Sequence, residues 1–191
     1  MFEVRIHGRG GQGVVTAAEL LSIAAFLEGR HAQAFPSFGS ERTGAPVVAY
    51  CRIDDREIRT REPIMRPDAL IVQDATLLGH VPVFDGLKDN GPVVINSGTR
   101  VDNLALPSIA HRPEQWITVP GTELARKIVG RPVPNAALLG AFAAVSGVVS
   151  LDSVVTAIRQ RFTKSVAAAN ATVARTAFDI ASTEIEELAH A

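Results

Sequence analysis

Glycines at positions 8, 10 and 13 stand between two segments of different periodicity, and that junction restricts the fold more than any other feature of the chain. Glu3-Val4-Arg5-Ile6-His7 reads as a short strand. Val14 to Leu27 is rich in Ala and Leu and reads as a helix, closed by Gly29 as a left-handed cap. The turn between them, Gly8-Arg9-Gly10-Gly11-Gln12-Gly13, therefore carries G-x-G-x-x-G spacing in the strand-to-helix context that gives the pattern its mechanism. Glycine allows positive φ and close approach without a Cβ. The N–H groups of such a turn, with the unpaired donors of the following helix, make a concave site for phosphate or carboxylate, to which Arg9 adds charge. A tight turn that only packs helix against strand uses the same glycines, and both readings stay open here.

A dinucleotide fold places an acidic residue at the end of its second strand to hold a ribose hydroxyl. The second strand here is His31 to Phe35, and it runs into Phe35-Pro36-Ser37-Phe38 with no carboxylate. Glu28 falls too early and Glu41 too late. NAD and FAD are disfavoured, while another phosphate-bearing ligand is not.

The 191 residues, 47% of them hydrophobic, suffice for one domain over 1–191 with a full core. A net charge of -1, from 19 basic and 20 acidic residues, gives no global electrostatic case for nucleic acid or an anionic membrane. Cys51 is the only cysteine, which excludes an internal disulfide and any iron–sulfur cluster or zinc finger held by cysteines of this chain alone. No secretory signal is visible, and the most apolar stretch, Ala136 to Leu151, is too short and too glycine-broken to span a bilayer, so a cytoplasmic chain is expected.

Along the chain, Pro36 to Pro46 combines turn residues with Phe35 and Phe38 and with Glu41-Arg42, either as a functional loop or as a surface loop anchored by its aromatics. Val47 to Ile53 reads as a strand, with Asp54-Asp55 turning into a return strand Arg56 to Thr60, an antiparallel hairpin. Ala69 to Gln73 and Pro92 to Asn96 are buried parallel strands. Asp74, at the carboxyl end of the first, is a site candidate or a cap for the turn after it. Trp116 to Val119 is a further strand, followed by a helix to about Val129 with Gly121 or Thr122 near its cap. Arg131-Pro132-Val133-Pro134-Asn135 is a stiff connection, with Asn135 capping a helix that starts at Ala136. Leu151, Val154, Val155, Ile158 and Phe162 define an amphipathic helix with Arg159 and Arg161 outward. In the last helix, Val166, Asn170, Val173, Ala177 and Ile180 fall on one stripe, where Asn170 needs hydrogen-bond partners: a tie to a loop, a ligand or a neighbouring subunit. Glu184 to Glu187 reads as ordinary helix surface. Strands alternating with helices or crossovers define an α/β fold with a mostly parallel, Rossmann-like sheet, an antiparallel hairpin and C-terminal helices.

Catalysis has no visible apparatus. His7, His31, His80, His111 and His190 are scattered without metal-ligand spacing, and Cys51 lies mid-strand in apolar surroundings that suit packing over reactivity. The chain reads as a binding and docking subunit.

His7 to Gly13, followed by Ala32-Gln33-Ala34-Phe35-Pro36-Ser37-Phe38-Gly39-Ser40-Glu41-Arg42-Thr43-Gly44-Ala45-Pro46, resembles the gamma subunit of 2-oxoacid:ferredoxin oxidoreductases, the pyruvate:ferredoxin oxidoreductase family. The likeness continues through Pro67-Asp68, Asp74, Pro134-Asn135 to Gly140, and Asn170. It implies a subunit of an enzyme that converts a 2-oxoacid and coenzyme A to acyl-CoA and carbon dioxide. Thiamine diphosphate, Mg²⁺ and [4Fe-4S] clusters are then expected on partner subunits of alpha, beta and delta type, with electrons passing to ferredoxin or an NAD-linked subunit. No catalytic residue and no metal ligand are expected on this chain. Coenzyme A phosphates are expected at the turn Gly8, Arg9, Gly10, Gly11, Gln12 and Gly13, clamped by Ser40 and Arg42. Glu41, beside Arg42, stands where single-chain relatives carry lysine and lowers the charge of that clamp. Two other classes remain open, a purely structural interface subunit and a stand-alone dinucleotide binder.

Overall fold

The computed structural model describes residues 1–37, 43–104, 106 and 112–190. The expected coenzyme A contacts Ser40, Glu41 and Arg42, with Phe38 and His111, lie outside the described residues. Strands β1 (Phe2–Arg9), β2 (His31–Pro36), β3 (Pro46–Asp54), β4 (Ala69–Val72), β5 (Val93–Asn96) and β6 (Trp116–Val119) form one sheet in the order β2-β3-β1-β4-β5-β6. Only β3 runs against the rest: it pairs antiparallel with both β2 and β1, while β1, β4, β5 and β6 pair in parallel. The helices are α1 (Val14–Leu27), α2 (Gly121–Val129), α3 (Asn135–Ser146), α4 (Leu151–Arg161) and α5 (Lys164–Ala189).

The hairpin partner of β3 is β2, not the expected return strand at 56–60, which forms no strand among the described residues. The reason is edge availability. Both edges of β3 are already paired, so a further strand has no open ladder to join. Two buried arginines, Arg52 of β3 and Arg5 of β1, hold other connections of the chain. Arg52 Nε reaches Glu3 Oε1 at 2.9 Å and Nη2 the carbonyl of Glu62 at 2.6 Å, with the guanidinium over the Phe35 ring. Arg5 Nη2 donates to the carbonyls of Val83 and Asp85. Its Nε donates to His7 Nε2 at 2.9 Å, so His7 must be the neutral acceptor tautomer. Burial, reinforced by the Arg5 charge, pushes the His7 pKa down to about 3.

Strand alternation separates two cores. Val4, Ile6, Ala69, Ile71, Val94, Ile117 and Val119 face a layer built from α1, α3, α4 and α5. Leu70, Val72, Val93, Ile95 and Trp116 face the other side, covered by connections and 3-10 turns around Leu77, Val83 and Phe84. Cys51, fully buried, has its thiol pushed up to about 12 by burial, which fits a packed, unreactive side chain.

Helix α5 buries Ala167, Ala171, Val173, Ala174, Ala177 and Ala181, a small-residue face rotated from the expected stripe, leaving Val166 exposed. The rotation follows from a backbone-close crossing: a Cβ on Gly140 of α3 would stand 2.0 Å from the Ala174 carbonyl oxygen. Alanine at the contact permits that approach, and bulkier Val166 and Ile180 do not fit there. The chain's C-terminal carboxylates are not all simple surface either, since the Glu184 side chain is largely buried and lies 3.8 Å from Arg100.

Candidate binding site at the carboxyl edge of the sheet

Parallel β1, β4, β5 and β6 end on the same edge, and the sequence places a polar residue at or just past the ends of three of them: Arg9 on β1, Gln73 after β4 and Asn96 on β5. Gly13 takes φ +75 and serves as the N-cap of α1 without any side-chain cap, and Gly11 takes φ +92 with open space where a Cβ would be. Gly8 needs its lack of a side chain for a different reason, because a Cβ there would lie 2.6 Å from Val14 Cγ2. Close strand-to-helix packing and an open anion-facing turn are thus served by different glycines of one motif.

The donors divide in the same way. Gly10 N–H donates to the Ala45 carbonyl at 2.9 Å and Gln12 N–H to the Arg9 carbonyl at 3.0 Å, so both are engaged within the fold. Gly11 and Gly13 N–H donate to no acceptor among the described residues. Gln12 instead works through its side chain, accepting from Arg9 N–H at 2.7 Å and donating to Asp74 Oδ2 at 2.8 Å.

Asp74 takes the capping role that its position suggested. It caps the 3-10 turn Ala75–Gly79 through Thr76 N–H, and it also latches the glycine turn. Arg9 is held within the fold: Nε lies 3.2 Å from Asp74 Oδ2, Nη2 donates to Thr76 Oγ1, and Nη1 donates to the Gly44 carbonyl. This Arg9 bridge ties Gly44 to the turn. Burial pushes the Asp74 carboxyl up, but hydrogen bonds from Thr76 and Gln12, with the Arg9 charge, outweigh it and hold the group below the usual carboxylate range.

Asn135 is not a cap. Pro134 occupies that position and Asn135 is the first residue of α3, with its buried amide joining two elements. Its Nδ2 donates to the Gly13 carbonyl at 3.1 Å and its Oδ1 accepts from Gln73 Nε2 at 2.9 Å. Asn96 extends the seam, donating to the Gln73 carbonyl and to Thr122 Oγ1 while its Oδ1 accepts Thr122 N–H at the start of α2. Side chains from β5 and α3 thereby do work that the sequence assigned to local helix caps.

Beside the turn opens a cleft of about 250 Å³ lined by Gly11, Gly13, Thr16, Val129, Arg131, Val133, Asn135, Ala136, Phe162, Val166 and Asn170. Two helix N-termini without side-chain caps, those of α1 and α3, reach it. Asn170, flagged in the sequence, lies here. Its Nδ2 donates to the Val166 carbonyl, one helical turn back, so it is not a tie to a loop. Arg131 and Thr16 were not singled out. The sequence signal for Arg131 was a lone cation inside a proline-stiffened connection.

An α/β chain with a single antiparallel strand next to β1, and a glycine turn and polar seam on the carboxyl edge, is thus defined. The sequence model of the family described as pyruvate ferredoxin/flavodoxin oxidoreductase matches residues 3–180. The chain is 45% identical over 188 residues, 98% of its length and 100% of the relative's, to the pyruvate/ketoisovalerate oxidoreductases common subunit gamma of Pyrococcus furiosus. It is 49% identical over 179 residues, 94% of this chain and 96% of the relative, to pyruvate synthase subunit PorC of Methanocaldococcus jannaschii. The crystal structure of the pyruvate oxidoreductase subunit PORC of Thermotoga maritima superposes with TM-score 0.78 at 31% identity, covering 94% of this chain and 96% of that one. At 16% identity, and so for the fold alone, the chain superposes with TM-score 0.68 on 31% of a 2-oxoglutarate:ferredoxin oxidoreductase from Magnetococcus marinus. The chain belongs to the pyruvate ferredoxin/flavodoxin oxidoreductase family, as a gamma-type subunit.

Proposed function

We propose that this chain is the docking and coenzyme A-binding, non-catalytic subunit of a 2-oxoacid oxidoreductase whose thiamine diphosphate, Mg²⁺ and [4Fe-4S] clusters sit on alpha-, beta- and delta-type partners in the cytoplasm. Coenzyme A supplies the thiol that receives the acyl group. The observation that carries the reading is the split within the glycine turn: among the described residues Gly11 and Gly13 N–H groups meet no acceptor, and no side chain fills the space where a Cβ on Gly11 would stand. An anionic phosphate fits such donors. The Magnetococcus marinus relative was solved with 2-oxoglutarate, coenzyme A and succinyl-CoA bound, which agrees with this choice of ligand. Ser40 and Arg42 take the clamp role from the second loop, with Glu41 moderating its charge.

Internal engagement of Gly10, Gln12 and Arg9 favours a rival reading in which the turn only braces the fold next to partner chains. The two separate in one experiment. In the complex purified anaerobically from its host, Arg42→Ala is expected to raise KM for coenzyme A about tenfold, the loss of one charge-assisted hydrogen bond. The 2-oxoacid KM stays where it was. An unchanged coenzyme A KM establishes the bracing role instead. Dinucleotide binding loses ground on topology, since β3 separates β2 from β1 and no carboxylate ends β2.

A further inference from the structure

Helix α5 is 26 residues long, about 39 Å, and the fold buries only its alanine face. Its opposite face is a continuous exposed stripe. Lys164, Arg175 and Glu186 recur every eleven residues, three helical turns, with Ala168, Thr172, Asp179 and Thr183 between them at spacings of three and four. The charge of the stripe is divided along the helix. The cations Lys164 and Arg175 lie in its first half, and the carboxylates Asp179 and Glu186 in its second. None of these four side chains forms an ion pair or hydrogen bond among the described residues, not even Arg175 with Asp179 one turn on. The residues between them are small. Thr172 and Thr183 return their hydroxyls to the carbonyls of Ala168 and Asp179, so neither requires a polar neighbour. Beside the basic half lies a groove of about 510 Å³, lined by Ala167, Ala168 and Ala171 together with the cations Arg159, Lys164 and Arg175.

A basic half followed by an acidic half makes a surface complementary to itself. Parallel pairing of two such helices sets like charge on like. Antiparallel pairing about a two-fold axis sets each half on its opposite, twice over, as an isologous contact requires. We infer that the exposed face of α5 docks a second copy of this chain, helix against helix and antiparallel. Arg175 of each copy then faces Asp179 of the other, and the acidic end of each helix lies on the other's basic groove. Ala168, Thr172 and Thr183 let the two backbones approach, while the charges fix register and orientation. One helix from each copy is a small contact, so the pairing is reversible.

The test is sedimentation equilibrium of the purified 191-residue chain. A dimer is expected whose dissociation constant rises about tenfold between about 50 mM and about 500 mM NaCl. Arg175→Glu and Asp179→Arg each set two like-charged pairs across the axis, and each is expected to weaken the dimer at least about tenfold. Mixed in equal amounts, the two variants restore both opposite-charge pairs, and a heterodimer within about threefold of the wild-type affinity is expected, which a misfolded variant could not form. Arg66→Glu, at an exposed cation far from the stripe in sequence, is the control and leaves the dimer unchanged. A chain that stays monomeric at about 0.5 mM overturns the inference. If Arg175→Glu then also fails to co-purify with the other chains of the oxidoreductase, the face belongs to one of them. A dimer indifferent to both reversals, or reversals that mixing does not repair, overturns it as well.

Discussion

Asp74 shows how one side chain holds several short elements in register. Its two oxygens meet Thr76, Gln12 and Arg9, and Arg9 in turn reaches the Gly44 carbonyl. Asp74→Asn keeps the Thr76 contact but loses the charge opposite Arg9. With both partners partly exposed, a loss of only about 1 kcal/mol is expected, measured as a lower urea midpoint at constant slope. Gly13 is less forgiving. Alanine there must adopt φ +75 and place its Cβ 2.6 Å from Asn135 Nδ2, so Gly13→Ala is expected to cost about 2–3 kcal/mol in equilibrium unfolding. At this scale the glycine motif was legible from its spacing, and so was the inertness of Cys51. The partners of Asn135 and Arg9 were not, because both reach residues more than sixty positions away.

Element boundaries followed local chemistry where that chemistry is strong. Gly29, at φ +79 just past α1, and the periodic helix α4 stand where spacing and turn residues placed them. The face that a helix buries is a different matter, decided by its neighbour. The expected stripe through Val166 and Ile180 gave way to the alanine face because Gly140 brings α3 against the α5 backbone. Gly140→Ala is therefore expected to destabilise by about 3 kcal/mol or more, despite alanine's higher helix propensity, through forced separation of the helices. Gly79→Ala, at a position with nothing within 4 Å and no positive φ, is the matched control and should stay within about 0.5 kcal/mol. Thermal melts of the two variants side by side check the contrast.

For the whole molecule, the buried Arg5–His7 pair couples stability to pH. The folded His7 pKa lies near 3, against 6.5 in the unfolded chain, so the unfolded state binds the proton over that interval and the native state does not. Stability is complete above the unfolded value and falls as pH drops toward 3. Between about pH 7 and pH 5 the loss should reach about 2 kcal/mol in urea unfolding, and His7→Gln, which keeps an acceptor for Arg5, should flatten the dependence. Asp74 adds to the loss in the same direction at lower pH, since its depressed pKa contributes stability only while it is ionised. The α/β class, the strand-to-helix glycine turn, the parallel runs Ala69 to Val72 and Val93 to Asn96, and the family itself were all determined by the sequence, because periodicity and turn chemistry are local. Tertiary structure alone decided that β3 enters between β2 and β1 and leaves residues 56–60 without a strand edge. It alone also decided that Asn96 and Asn135 stitch the carboxyl edge together, and that Arg9 is committed to Asp74, Thr76 and Gly44. Each of these depends on which distant edge, backbone or charge has already found a partner, and that is settled only when the whole chain has folded.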